Sequence, residues 1–184
     1  DNLHVTYHDN TNANLEYMTY DGSSWSTPVS LDSTDDVGDQ SSLAIDSNDN
    51  LHVSYYDYTN GDLEYMTYDG TSWSVPVSLG SAQANAHVGK FSSLAIDSND
   101  RLYISYYDST NGNLDYISGT SGSWNTPYTI DNTDDVGTQP SLAIDSNDDL
   151  HITASDNTYD NLDYHTFSGS SWSQQTTIAD DTGI

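Results

Sequence analysis

Cysteine is absent from the 184 residues, which excludes a disulfide framework and a thiolate metal centre. Fixed positive charge is almost absent too. Lys90 and Arg101 stand against 27 Asp and 2 Glu, for a formal net charge of -27. Such a polyanion has no cationic surface to displace counterions, so nucleic acid and anionic membranes are excluded as partners. No apolar run is long enough to span a membrane, so no membrane insertion is expected. No Asn-x-Ser/Thr sequon occurs, so N-glycosylation is not expected. The first residue is Asp1 rather than Met, and no leader-type segment precedes the first periodic run. A processed product or a piece of something longer is therefore expected. What the chain does have is 15 Tyr and 4 Trp, in regular alternating runs, which argues against the disorder that high charge can signal.

The run Leu-His-Val-Thr-Tyr at residues 3–7 returns as Leu51–Tyr55, as Leu102–Tyr106 and, altered, as Leu150–Ala154; the starts are 48, 51 and 48 residues apart. Trp25, Trp73, Trp124 and Trp172 keep the same spacings. The chain is one unit repeated four times, at roughly 1–41, 42–92, 93–140 and 141–184, within a single domain. In the copy from Ser42 to Ser78, Ser42–Asp46 reads as a short apolar strand, and Leu51–Tyr56 and Leu63–Tyr68 as alternating strands. A fourth strand follows Trp73 and carries Pro76, which suits an edge or irregular strand because proline lacks an amide donor. Asn, Asp and Gly punctuate the joints. No segment has a 3.6-residue period, so no helix is expected.

A four-stranded antiparallel meander repeated every 48 or so residues is the unit of a β-propeller blade. The sequence therefore predicts an all-β propeller of four four-stranded blades, with Leu-Ala-Ile-Asp innermost. Asp1-Asn2-Leu3 aligns with Asp49-Asn50-Leu51, so one blade lacks its innermost strand. An unpaired edge of that kind is a template for another chain. The expected partners are other copies of the chain, or continuing repeats, through that edge.

The pattern Ser-Leu-Ala-Ile-Asp-Ser-Asn-Asp-Asn-Leu-His-Val-Ser-Tyr-Tyr-Asp resembles β-propeller repeats of secreted and cell-surface proteins of bacteria and archaea, of the sialidase-like or BNR type. Thr19-Tyr20-Asp21-Gly22-Ser23-Ser24-Trp25, repeated as Thr67 to Trp73, is similar to the Asp-box but one residue short. In the third and fourth copies Thr120 and Ser168 replace its Asp. In that family the Asp-box stabilises a hairpin and is not catalytic, so the resemblance implies fold rather than chemistry. The three arginines with which a sialidase clamps a carboxylate have no counterpart here beyond Arg101.

Candidate chemistry is weighed against the repeat. Glu16, Glu64, Asp115 and Asp163 share one repeat position, and Asp9, Asp57, Asp108 and Asp156 another. A glycosidase needs one pair of carboxylates across one bond, which should break the symmetry, so both sets read as turn caps and solvated strand ends. His4, His52 and His151, with Tyr103 as the fourth copy, read as packing residues. Calcium is the better cofactor candidate, on the oxygen-rich turns at Asp46 and Asn48, Asp97 and Asn99, and Asp145 and Asn147. The acidic segments Asp32–Gly38 and Asp131–Gly137 offer a second candidate site. Tyr55, Tyr56, Tyr106 and Tyr107 read mainly as inter-blade core, although exposed rings would suit sugars. The one asymmetric insertion, around Ala82–Asn85, could mark a contact.

The reading that follows is a non-enzymatic, extracellular structural module of a surface layer or fibre. The alternatives are a glycan-binding, lectin-like propeller and a glycoside hydrolase.

Overall fold

The computed structural model describes residues 2–80 and 86–180. The insertion at Ala82–Asn85 lies outside the described residues. All described regular structure is β, in four antiparallel sheets. No helix is long and apolar enough to cross a membrane.

The first sheet is β1 (Leu3–Asp9), β2 (Asn14–Tyr20) and β3 (Val29–Asp32), paired in that order. The second is β4 (Val37–Ile45), β5 (Leu51–Asp57), β6 (Asp62–Tyr68) and β7 (Val77–Ser78). The third runs β8 (Val88–Ile96), β9 (Leu102–Asp108), β10 (Asn113–Thr120), with β11 (Ser123–Trp124) and β12 (Tyr128–Asp131) both on β10. The fourth is β13 (Val136–Ile144), β14 (Leu150–Asp156), β15 (Asn161–Phe167) and β16 (Thr176–Ala179). Each sheet packs on the next through one face, and three apolar clusters fill the three boundaries. Leu15 and Leu31 meet Val53, Tyr55 and Met66 at the first boundary. Leu63 and Tyr65 meet Leu102, Ile104 and Tyr106 at the second. Leu114 and Tyr116 meet Leu150, Ile152 and Ala154 at the third. The finding is thus four sheets in series, with no sheet closed on itself.

Three of the four prolines fall where a missing amide costs least, and the fourth, Pro140, lies in β13 at the register shift between Thr138 and Ser141. Pro28, Pro76 and Pro127 lie just ahead of the outermost strands β3, β7 and β12. At the hairpins before β3 and β7, Asp21 Oδ1 accepts the amides of Ser23 and Ser24, and Asp69 Oδ1 those of Thr71 and Ser72. These bonds hold the Asp21 carboxyl down at about 2.

Two expectations need correction. The innermost strands do not begin at the Ser-Leu-Ala-Ile run. They reach back to Val37, Val88 and Val136, across two register shifts in each sheet. Gln40, Phe91 and Gln139 sit at φ of 54, 56 and 50°, and Gly38, Gly89 and Gly137 at 91, 105 and 94°. A bulge breaks the two-residue alternation by which strands are read, so this half of the strand resembles a loop in sequence. The glycine there is required by a close approach. A Cβ on Gly38 would stand 2.6 Å from Leu15 Cα, and one on Gly137 2.5 Å from Leu114 Cα. The candidate site read into Asp32–Gly38 and Asp131–Gly137 is accordingly half strand.

The second correction concerns the repeat carboxylates. Asp57, Asp108 and Asp156 do cap turns, accepting amides from Asn60, Thr110 and Thr158, as Asp9 does from Thr11. Glu16, Glu64, Asp115 and Asp163 do not. They lie within strands, opposite Tyr7, Tyr55, Tyr106 and Ala154, and Glu16, Asp115 and Asp163 are buried. Burial pushes Glu64 up to about 7 and Asp115 to about 6.

The inner turns clasp successive sheets together. Asp100 accepts the Ser47 amide at 2.8 Å and its hydroxyl at 2.6 Å. Asp148 does the same for Ser98, at 2.9 and 2.6 Å. Between inner strands, Leu94 N donates to Ser42 Oγ and Leu142 N to Ser93 Oγ, each at 3.0 Å.

Candidate functional site

The turns proposed for calcium are hydrogen-bonded Asx turns. Asp46 Oδ1 accepts the amides of Asn48 and Asn50, Asp97 Oδ1 those of Asn99 and Arg101, and Asp145 Oδ1 those of Asn147 and Asp149. The Asn48 and Asn99 side-chain amides turn toward Asp100 and Asp148 instead, while that of Asn147 goes to Asp145. No group of three or more His, Asp or Glu side chains converges among the described residues. His52 Nδ1 and His151 Nδ1 bond the hydroxyls of Tyr65 and Tyr164, and their Nε2 atoms lie 3.4 and 3.6 Å from Asp46 and Asp145. These histidines tie the second strand of a sheet to its first and third.

The four copies differ most at the boundaries between sheets. At the first boundary Tyr55 donates to Asp32 Oδ2 at 2.7 Å. At the second, Gly80 takes the place of Asp32, and the hydroxyl of the fully buried Tyr106 has no partner among the described residues. At the third, Asp131 stands in the Asp32 position but Ala154 replaces the tyrosine. The repeat position filled by Met18, Met66 and Ile117 holds His165. His165 Nε2 lies 3.5 Å from Asp131 Oδ2, with both side chains buried. The loss of a phenol and the gain of an imidazole thus fall in one place, and the sheet boundary opens beside them.

That opening is a cleft of about 440 Å³. Asp131, Asn132 and Thr133 line it from the third sheet, and His165, Ser173, Gln174 and Gln175 from the fourth. Each is held by local chemistry. Asp131 Oδ1 accepts the Thr133 amide and hydroxyl at 2.9 and 2.6 Å, which fixes the turn after β12. Asp163 accepts Gln175 Nε2 and, at 2.9 Å, Thr177 Oγ1. Gln175 occupies the position of Pro28, Pro76 and Pro127, so the fourth copy exchanges a rigid apolar residue for an amide. Burial lowers the His165 pKa, against the opposing pull of Asp131 and Asp163, which favours a neutral ring at pH 7. With Nε2 facing a carboxylate, the proton belongs on Nε2 and Nδ1 is left as an acceptor.

A second hollow, of about 260 Å³, opens between the same two sheets. It is formed by Tyr116, Tyr128, Phe167, Ser170, Ser171 and Trp172. Ile130, which also lines the polar cleft, is two residues from Tyr128 in β12, and Trp172 precedes Ser173, so the aromatic and polar hollows adjoin. Tyr116 meets Trp172 edge to face at 5.0 Å, and Tyr128 presents an exposed ring beside them. The tyrosines singled out in the sequence are elsewhere. Tyr55, Tyr56, Tyr106 and Tyr107 are buried and offer no platform. The repeat symmetry is broken at His165, Ala154 and Gln175. The signal lay in comparing the four copies position by position, at places where three agree in character and one does not.

No family model matches this chain, and no curated protein matches it. Solved structures do. A fucose-specific lectin from Aleuria aurantia is 20% identical, with a TM-score of 0.63 over 98% of this chain and 62% of the lectin. An exo-β-1,3-galactanase from Phanerochaete chrysosporium is 14% identical, with a TM-score of 0.62 over 96% of this chain and 47% of that enzyme. A polysaccharide lyase of the ulvan lyase type is 12% identical, with a TM-score of 0.60 over 97% of this chain and 52% of the lyase. These are propeller-type proteins, and at such identities the likeness is one of fold. The chain spans less than two thirds of the length of each. The expectation of a non-enzymatic chain is corrected by the galactanase and the lyase, whose arrangement of sheets is shared as fully as the lectin's.

Proposed function

We propose that this chain is a carbohydrate-binding propeller unit, and that the cleft between the third and fourth sheets holds a neutral saccharide. The observation that carries this reading is the concentration of repeat-breaking residues, Ala154, His165 and Gln175, around one cleft whose walls are amides, hydroxyls and a carboxylate. Saccharide hydroxyls are both donors and acceptors, and this wall supplies both: Nε2 of Gln174 and Nδ2 of Asn132 as donors, Asp131 and the Thr133 and Ser173 hydroxyls as acceptors. The adjoining Tyr128 and Trp172 offer apolar ring faces for the C–H side of a sugar. With a net charge of -27, anionic sugars are repelled and neutral or amino sugars are favoured. The lectin, galactanase and lyase all carry carbohydrate names on this fold, which supports the same substrate class. An extracellular setting agrees with the acidic surface.

The test is calorimetric titration of the chain with a panel of neutral oligosaccharides, alongside His165→Met and Gln174→Ala. Saturable binding that Gln174→Ala weakens without changing the melting temperature, and that His165→Met also weakens, supports the cleft. Binding retained by both variants places the sugar elsewhere, and no binding to any neutral glycan removes the proposal. A second reading, association with further polypeptide or continuing repeats, rests on the edge of β1, which is unpaired among the described residues, and concerns a surface apart from this cleft.

A further inference from the structure

We infer that the polar cleft and the aromatic hollow are two ends of one groove, which takes a linear saccharide of two or more units rather than a single sugar ring; the inference rests on the carbohydrate reading above. Each wall of the groove is one continuous stretch of chain, 128–133 on the third sheet and 170–175 on the fourth. Both stretches begin at the aromatic end, with Tyr128 and Trp172, and finish at the polar end, with Thr133 and Gln175. The two hollows therefore lie in line along the sheet boundary. Tyr128 and Ile130, two residues apart on β12, set a step of ~7 Å along the third-sheet wall, comparable to the length of one sugar unit.

The aromatic end departs from the repeat as the polar end does. Tyr128 pairs with Tyr116, where the first two sheets put Val29 and Val77 opposite Tyr17 and Tyr65. On the facing sheet Phe167 bridges to Trp172, where the third sheet has Gly119 beside Trp124. Of the three boundaries, the third alone has a ring at both places. Tyr116 stands 5.9 Å from Tyr128 and 5.0 Å from Trp172, and Phe167 stands 5.4 Å from Trp172, centroid to centroid. The rings thus brace one another around the hollow. Tyr128 remains 53% exposed, so its ring is a wall and not core. Two sets of departures, one aromatic and one polar, meet at a single boundary.

Neither end suffices for such a chain alone. The aromatic hollow, at about 260 Å³, falls below the ~300–1,000 Å³ of ordinary ligand pockets, and the polar cleft, at about 440 Å³, lies low in that range. Their chemistry is divided too. Asn132 and Gln174 engage sugar hydroxyls at one end, while the other presents ring faces to a C–H surface, with Ser170 and Ser171 as its polar rim. A single ring satisfies one end and leaves the other in water. Two linked units satisfy both, and the link makes the second contact intramolecular. Tyr128 is therefore a specificity-determining residue, and what it selects is chain length.

The experiment titrates the chain, by ligand-observed NMR, with glucose, galactose, mannose and xylose and with their linear di- and trisaccharides. The quantity read is the ratio of monosaccharide to trisaccharide Kd for the sugar that binds. Expected is a ratio of roughly ten or more in the parent. Tyr128→Val, which installs the residue of the first two copies, should bring the ratio close to unity, and Tyr128→Phe should keep it. Ser171→Tyr, which fills the hollow from an exposed position, should collapse the ratio as well. Gln174→Ala should weaken every length by a similar factor and leave the ratio in place. A ratio near unity in the parent would overturn the inference while the carbohydrate reading stands. So would a ratio that survives both Tyr128→Val and Ser171→Tyr, because the second unit would then bind elsewhere. Binding of none of these sugars would remove the carbohydrate reading, and the inference with it.

Discussion

His165 Nε2 stands 3.5 Å from Asp131 Oδ2 across the third sheet boundary, where the first boundary has Tyr55 bonded to Asp32 at 2.7 Å. Two solutions to one problem follow from the same repeat. A carboxylate at the end of the outermost strand is buried and needs a donor, and either a phenol from the second strand or an imidazole from the third supplies it. Ala154→Tyr alone should therefore destabilise the fold by roughly 1–3 kcal/mol, through crowding against His165. Combined with His165→Met it rebuilds the first boundary's arrangement and should recover most of that loss. Denaturant melts of the two single variants and the double variant give the coupling energy, and strict additivity would refute the exchange.

Tyr55 and Tyr106 are a matched pair with opposite expectations. Tyr55→Phe strands the Asp32 carboxylate and should cost about 1–3 kcal/mol. Tyr106→Phe removes a buried hydroxyl that has no partner among the described residues, so it should be neutral or stabilising by up to about 1 kcal/mol. Equal losses in urea unfolding would show that Tyr106 has a bond absent from this picture.

The four tryptophans should not be equivalent. Trp73, Trp124 and Trp172 each meet a tyrosine of the preceding sheet edge to face, at 5.2, 4.9 and 5.0 Å. Among the described residues the one ring contact of Trp25 is with Tyr20 of its own sheet, and Trp25 is 50% exposed. Alanine at any of the three inter-sheet positions should cost about 2–4 kcal/mol, and at Trp25 about 1 kcal/mol or less. Thermal melts rank them directly.

Glu64 gives a pH dependence of defined sign. Its carboxyl is raised in the folded state to about 7, from an ordinary value of 4.5, chiefly by burial. A raised carboxyl favours the fold while protonated. That contribution is fully present below about pH 4.5 and is lost as pH rises through 7. Glu64→Gln should therefore be more stable than the parent at pH 8, by about 1 kcal/mol once partial solvent exposure is allowed for, and the difference should vanish near pH 4. Asp115 acts in the same direction, while the lowered His52 and His165 act in the opposite one, losing stability below pH 6.5. The comparison is thus made between variants at each pH rather than along one curve.

Salt should stabilise this chain. Twenty-nine acids against two fixed cations repel one another in the compact state, and added NaCl screens that repulsion as the Debye length falls from ~30 Å at 0.01 M to ~3 Å at 1 M. Melting temperature should rise steadily over that range. Calcium separates screening from site binding. At matched ionic strength, an increment over NaCl is what a site at Asp46, Asp97 or Asp145 would add, and equal melting temperatures would remove calcium from the account.

The strands from Leu3, Leu51, Leu102 and Leu150, and those from Asn14, Asp62, Asn113 and Asn161, were legible because residues on a half-buried strand alternate every two positions. The outer strands were legible from Trp and Pro, since an unpaired edge tolerates a residue with no amide to donate. The first half of each inner strand was not, because its bulges at Gly38 and Gln40 break the alternation. Glu16 and Asp163 read as solvated because carboxylates usually are, and only the stacking of one sheet on the next buries them. The candidate cleft was hidden for a related reason. His165, Ala154 and Asp131 lie in different strands of two sheets, and nothing local to any of them says that they meet.

Local order was thus determined by sequence: the repeat, the strand types, the turns and the acidic surface follow from the residues and their immediate neighbours. Tertiary structure decided which carboxylates lose water and which tyrosines find a partner. Those outcomes depend on what the neighbouring sheet presents across the boundary, a contact between residues distant in the chain that no single repeat encodes.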